Sequence, residues 1–247
     1  MYVAVLLVLL YLPACHCLNG KEEKNENQCD LLKKSLESSS VWVEITKKGF
    51  HRQVETTVEL SLGVLTGVQV MLLYRWPRGV YLDPYQIASL HKQSNWKILI
   101  DSATDLESPA HKTRGFVTYV YPIPEGPTAR IKVTIPIHGR YHEPSFEGKT
   151  FTSVHIEPPD LLLRAENCPS FSSFKPHNVI SAPCRADNSS TCSWVKGHSH
   201  KEPGSVSSFQ LPVGDGRLLM PVSAGTLLVT LICCLLLSKY MWKHRIH

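Results

Sequence analysis

This 247-residue chain contains no Gly-x-Ser-x-Gly elbow, no Walker loop, no Gly-x-Gly-x-x-Gly and no Cys-x-x-Cys. Those absences remove the hydrolase nucleophile turn, the glycine-rich phosphate cradles and the dithiol redox pair from the candidate chemistries. Asp-x-Asp, which many nucleotide-sugar transferases use to hold a metal, is missing too. Carboxylates occur at Glu44, Glu55, Glu59, Asp101, Asp105, Glu143 and Glu147, but no two stand out as an acid–base pair, and solvated strand faces account for them. The net charge is +5, yet no Lys/Arg run with interleaved aromatics marks a nucleic-acid surface. The residues therefore point to no catalytic site, no cofactor and no small-molecule substrate of the chain's own.

Charge is also missing where its absence is informative. From Leu218 to Leu237 no residue is charged, and these 20 residues of helix reach roughly 30 Å, one hydrocarbon core. Lys239, Lys243 and Arg245 follow with no acidic residue among them, and Tyr240 and Trp242 sit where interfacial aromatics belong. The expectation is a transmembrane helix over 218–238 and a cytosolic tail over 239–247. At the other end, Val3 to Leu12 has the length of a secretory h-region, too short to span a bilayer. Small Cys15 and Cys17 suit a cleavage site, which makes 1–17 a signal peptide, although the usual basic n-region is lacking. Together the ends describe a single-pass type I membrane protein.

That topology sorts the eight cysteines. Cys15 and Cys17 leave with the signal peptide, and Cys233 and Cys234 lie in the span. Cys29, Cys168, Cys184 and Cys192 remain on the oxidising side and allow three pairings, of which the short loop favours Cys184–Cys192. Asn188-Ser189-Ser190 is a glycosylation sequon in a compartment where it can be used.

The body between the ends reads as β structure. After a charged, flexible lead-in over 18–40, in which Leu31, Leu32 and Leu36 suit one side of a short helix, the hydrophobic period becomes two. "VWVEIT", "QVETTVELSL", "VQVMLLY", "WKILID", "FVTYVY", "ARIKVTIPIH", "TFTSVHIE" and "DLLLRAE" are short, rich in β-branched or aromatic residues and separated by turn residues. Ile131, Val133, Ile135 and Ile137 point one way and Lys132 and Thr134 the other. The expected fold is mainly β, an antiparallel β-sandwich-like domain over 41–184. One helical insertion is expected at "DPYQIASLHK", where Asp83 caps and Pro84 takes the first helical position. From 185 to 217 the Ser, Pro and Gly content reads as a stalk.

One stretch imitates a metal site. "PIHGRYHEPSF" carries His-Glu and a His-x-x-x-His spacing, but Phe146 stands where a zinc-protease motif needs its second histidine, and Pro144 breaks the helix that motif requires. If the strand of Ile131 continues through His138 and His142, the two lie roughly 13 Å apart, too far to share a zinc unless the chain bends at Gly139.

Two stretches are distinctive. "LLYRWPRGVYLDPYQIASL" contains Arg75, Trp76, Pro77, Asp83, Pro84 and Tyr85, and "IPIHGRYHEPS" contains His138, Arg140, Tyr141 and His142. With the "PPDLLLR" run and the late span, they resemble the PIG-X / Pbn1 family over roughly residues 50–242. That resemblance implies a non-catalytic subunit of glycosylphosphatidylinositol (GPI) mannosyltransferase I in the endoplasmic reticulum membrane. It also implies a partner, the multispanning catalytic protein PIG-M, which transfers the first mannose from dolichol-phosphate-mannose to glucosaminyl-phosphatidylinositol. The ten residues named are then family-motif or partner-interface candidates. Arg140, Tyr141 and His142 either lock a turn by local hydrogen bonds or present it to the partner. A cell-surface adhesion or receptor ectodomain is the competing reading, because a sandwich on a stalk is their common plan.

Overall fold

A computed structural model describes residues 32–60, 67–90, 94–123, 130–165, 178–197 and 207–244. The expected signal peptide, Cys29, Cys168 and Arg245 lie outside the described residues. Chain order begins with helix α1 (residues 32–38), then strands β1 (Ser40–Thr46), β2 (His51–Glu59), β3 (Val68–Trp76) and β4 (Val80–Tyr81). Helix α2 (Pro84–Leu90) follows, then β5 (Trp96–Ile100), β6 (Phe116–Pro122), β7 (Arg130–Gly139), β8 (Phe151–Ile156) and β9 (Asp160–Ala165). β10 (Val179–Arg185), β11 (Asn188–Lys196), β12 (Ser207–Pro212) and helix α3 (Leu219–His244) complete it.

The strands form antiparallel sheets in the orders β1-β2-β7-β4, β10-β11-β9-β3-β6-β5 and β12-β8. Period-two patterning decides which face each sheet buries. On β7, Ile131, Val133, Ile135 and Ile137 are at most 4% exposed, while Lys132 projects outward to Glu55 at 2.7 Å. They meet Val54 and Val58 of β2, Leu72, Tyr74 and Trp76 of β3, and Val154 and Leu211 of the two-stranded sheet in one core. Leu32 and Leu36 of α1 close that core, so the lead-in is folded from residue 32 onward.

Each of the eight stretches read as strands holds a strand among its described residues, and α2 forms where Asp83 and Pro84 place it. The stalk is a correction. β11 and β12 lie within 185–217 and belong to the domain, and the Cys184–Cys192 disulfide joins β11 to β10. Only Val195 and Lys196 of β11 pair with β9, and apolar residues of the β10–β11 hairpin pack on one face of β9, β3 and β6. There Trp194 is fully buried with Met71, Leu73 and Leu162, and the Tyr121 hydroxyl donates to the Pro183 carbonyl at 2.8 Å. A single buried tryptophan and one cross-link hold what the polar composition does not advertise.

Helix α3 is the exception to this packing. It has 26 residues, none of them buried, and is long and apolar enough to cross a membrane.

Candidate functional site at the junction of two turns

The two distinctive stretches, more than forty residues apart in sequence, fold against each other. β3 ends at Trp76 and the chain turns through Pro77, Arg78 and Gly79, where the Val80 N–H donates to the Pro77 carbonyl at 3.3 Å. β4 then pairs with the end of β7, Val80 opposite Gly139 and Tyr81 opposite His138. The Arg140 N–H extends the ladder to the Gly79 carbonyl at 2.8 Å. Room for a Cβ is short twice at this crossing. A Cβ on Gly139 would stand 2.8 Å from the Leu211 methyls, and one on Gly79 would stand 3.0 Å from Val154 Cγ2 and 3.2 Å from His142 Nε2.

Most of the side chains at the junction are locked. Trp76, 2% exposed, donates from Nε1 to the Thr118 hydroxyl at 2.9 Å and stacks on Tyr74 with ring centroids 5.1 Å apart. Arg140, 6% exposed, lies 4.8 Å over the Tyr81 ring and donates to the Ser108 carbonyl at 2.7 Å. A cation over an aromatic face is stabilised most when desolvated, which this burial supplies. Asp83 caps α2 by accepting from the Tyr85 N–H at 2.8 Å, and Pro84 opens the helix. Arg75 reaches Asp160 at 2.6 Å, and Lys196 reaches the same carboxylate at 2.9 Å, so one buried aspartate ties β3, β9 and β11 together.

The two histidines serve different neighbourhoods. His138 contacts Gln86 Oε1 at 3.0 Å, stacks on Tyr81 and meets His51 edge-on. Burial, with His51 adding to it, holds its imidazole below the ordinary value. His142 turns towards Gly79 and a cleft beside Arg78, His111 and Lys149. Its Nε2 is buried without a hydrogen-bond partner among the described residues. Burial first, then the positive neighbours Arg78 and His111, push its imidazole down as well. No group of three or more His, Cys, Asp or Glu able to hold a metal occurs among the described residues. Chemically, the arrangement holds a turn rather than aligning a nucleophile with a base.

Two of the ten motif residues stand apart. Tyr85 on α2 is 79% exposed and Tyr141, whose ring meets Phe50 with centroids 4.9 Å apart, is still 73% exposed, large rings open to solvent where their neighbours are locked. Sequence reasoning missed Thr118 and Ser108, which accept from the buried Trp76 and Arg140, and the buried Asp160, which meets the exposed Arg75; each lies tens of residues from the side chain it holds. Only Asp160 carries a signal, as the charged residue opening an apolar run.

Comparisons with known proteins find relatives over most of the chain. The human "GPI alpha-1,4-mannosyltransferase I, stabilizing subunit" is 27% identical over 205 residues, covering 81% of this chain and 79% of that protein. The Rattus norvegicus protein of the same name is 25% identical over 206 residues, covering 81% of each. "Protein PBN1" of Yarrowia lipolytica is 33% identical over 92 residues, 32% of this chain and 17% of that one. The PIG-X / PBN1 family model matches residues 47–242, both turns and most of α3 included, and the chain belongs to that family.

Proposed function

We propose that this chain is the stabilising, non-catalytic subunit of GPI mannosyltransferase I, with its β domain in the lumen of the endoplasmic reticulum and α3 as its single span. The observation that carries this reading is the family match over 47–242, in which a β domain and an apolar helix form one unit. Human and rat relatives carry that role in their names. The adhesion-ectodomain reading loses its ground with the family, and with the stalk that suggested it.

A stabilising subunit works by binding the folded form of its partner, which shifts the partner's equilibrium away from unfolded chains. The partner is the multispanning catalytic protein PIG-M, which adds the first mannose from dolichol-phosphate-mannose to glucosaminyl-phosphatidylinositol. The rigid junction offers Tyr85 and Tyr141 to its lumenal loops; exposed tyrosines on a fixed frame give contact area at low entropic cost. In the membrane, Gly225 lies open on α3, with nothing within 4 Å of where a Cβ would be, and Ala224 precedes it. Small residues of this kind let a second helix approach closely. Lys239 and Lys243 after the apolar run set the tail in the cytosol. Asn188, the first residue of β11 beside the hairpin turn, carries a glycan sensitive to endoglycosidase H.

Affinity isolation of the full chain in mild detergent tests the reading. The expected result is copurification of a multispanning mannosyltransferase. Recovery of the intact chain without one, together with complex-type glycan at Asn188 and delivery to the cell surface, would overturn it.

A further inference from the structure

The residues just before α3 are gripped by the turn that follows the second signature. Ser145 bridges to Asp215; its N–H donates to the Gly214 carbonyl at 2.8 Å and its carbonyl accepts from the Gly216 N–H at 2.9 Å. Phe146 lies so close to Gly216 that a Cβ there would stand 2.8 Å from the ring. Gly148, with φ at +80°, brings the turn back beside Arg217. Phe146 is nevertheless 67% exposed, so its ring seals the glycine on one side and faces outward on the other.

Helix length fixes where that ring lies relative to a bilayer. α3 has 26 residues, about 39 Å at about 1.5 Å each. A hydrocarbon core of about 30 Å takes about 20 of them. Lys239, Tyr240, Trp242 and Lys243 mark one boundary of the core. Counting about 20 residues back from Lys239 puts the other boundary at Leu219. Gly216, and Phe146 against it, lie about 5 Å beyond that boundary, at the depth where aromatic side chains partition into the interface. Beside them opens a cleft of about 190 Å³ whose lining includes Arg78, His111, Lys149 and one carboxylate, Glu143. Arg78 and Lys149, the latter also held 2.9 Å from Glu147, can meet headgroup phosphates at the same level.

We propose that residues 145–149, led by Phe146, form a seat on the phospholipid surface that fixes how the β domain stands over the membrane. Lipid is the occupant because the turn is hydrogen-bonded to the last residues before the span and lies beside the point where the chain enters the bilayer. The proposal requires α3 to cross a membrane and does not depend on which transferase the chain joins.

The test uses the full chain, without a partner, in nanodiscs of phosphatidylcholine and phosphatidylinositol. Photoreactive p-benzoylphenylalanine replaces Phe146, Leu218 or Glu59 in turn. Glu59 pairs with Arg130, at the opposite end of β7 from Gly139, about 30 Å away. Lipid adducts are expected by mass spectrometry at 146 and 218 and are lost at 59. Placing the reagent at Lys149 gives a second reading if position 146 disturbs the turn, with an adduct again expected. Labelling at 218 with none at 146 or 149 would overturn the proposal. A second arm adds the transferase: adducts at 146 that form only with protein there, and none with lipid in its absence, would overturn it as well.

Discussion

The inner and outer halves of the junction draw on the same two sequence stretches and end in opposite conditions. On the inner half, Trp76 and Arg140 are buried and each donates to a specific oxygen. On the outer half, Tyr141 directly follows Arg140, Tyr85 lies on the helix after the first turn, and both are more than 70% exposed. A motif of this kind is neither an active site nor a core element alone. The locked half sets the backbone, and the bare half is presented by it. The two halves therefore predict opposite responses to substitution.

The largest effect should come from the inner half. Trp76→Ala removes a buried indole and leaves the Thr118 hydroxyl without its donor, for a loss of about 3–5 kcal/mol. A denaturant melt of the detergent-solubilised chain measures it, and a loss under 1 kcal/mol would contradict the locked-half account. Arg140→Met keeps much of the volume but leaves the Ser108 carbonyl unpaired and the Tyr81 face without its cation, at about 1–3 kcal/mol. On the outer half, Tyr85→Ser with Tyr141→Ser should change stability by no more than about 0.5 kcal/mol while reducing transferase copurification. Unchanged copurification would dissolve the distinction between the halves.

The smallest effect is a pH dependence. His142 is held below its ordinary value of 6.5, so the unfolded chain binds a proton that the folded chain resists. Its contribution is fully present above the unfolded value near 6.5, declines as pH falls below that value and is lost once pH passes the folded value. His142→Asn should flatten the acid limb of the melting temperature against pH. An unaltered limb would place the effect elsewhere, with His138 the next candidate because it shifts the same way.

Much of this architecture was legible in the sequence. Period-two alternation marks β7 because one face is core and the other water, and Asp83-Pro84 marks the start of α2 because capping and a fixed φ act locally. Local signals end at the β10–β11 hairpin. Its polar, proline-containing sequence is held by the Cys184–Cys192 bond and by Trp194 packing on a distant sheet, and neither leaves a periodic trace. The junction was legible only as two unusual stretches. That Gly79 meets Arg140, or that Arg75 pairs with Asp160 85 positions on, follows from strand order alone. The seat at Phe146 was hidden for the same reason, because its neighbour Gly216 comes from the far end of the domain.

The central claim is that this chain keeps a catalytic mannosyltransferase folded and abundant. Depleting it and measuring the steady-state level of that enzyme, with the wild-type chain and the Tyr85→Ser/Tyr141→Ser form each reintroduced, tests the claim most directly. The account predicts that the enzyme falls on depletion, recovers with the wild-type chain and recovers poorly with the double variant. A normal enzyme level and normal GPI mannosylation after depletion would contradict it.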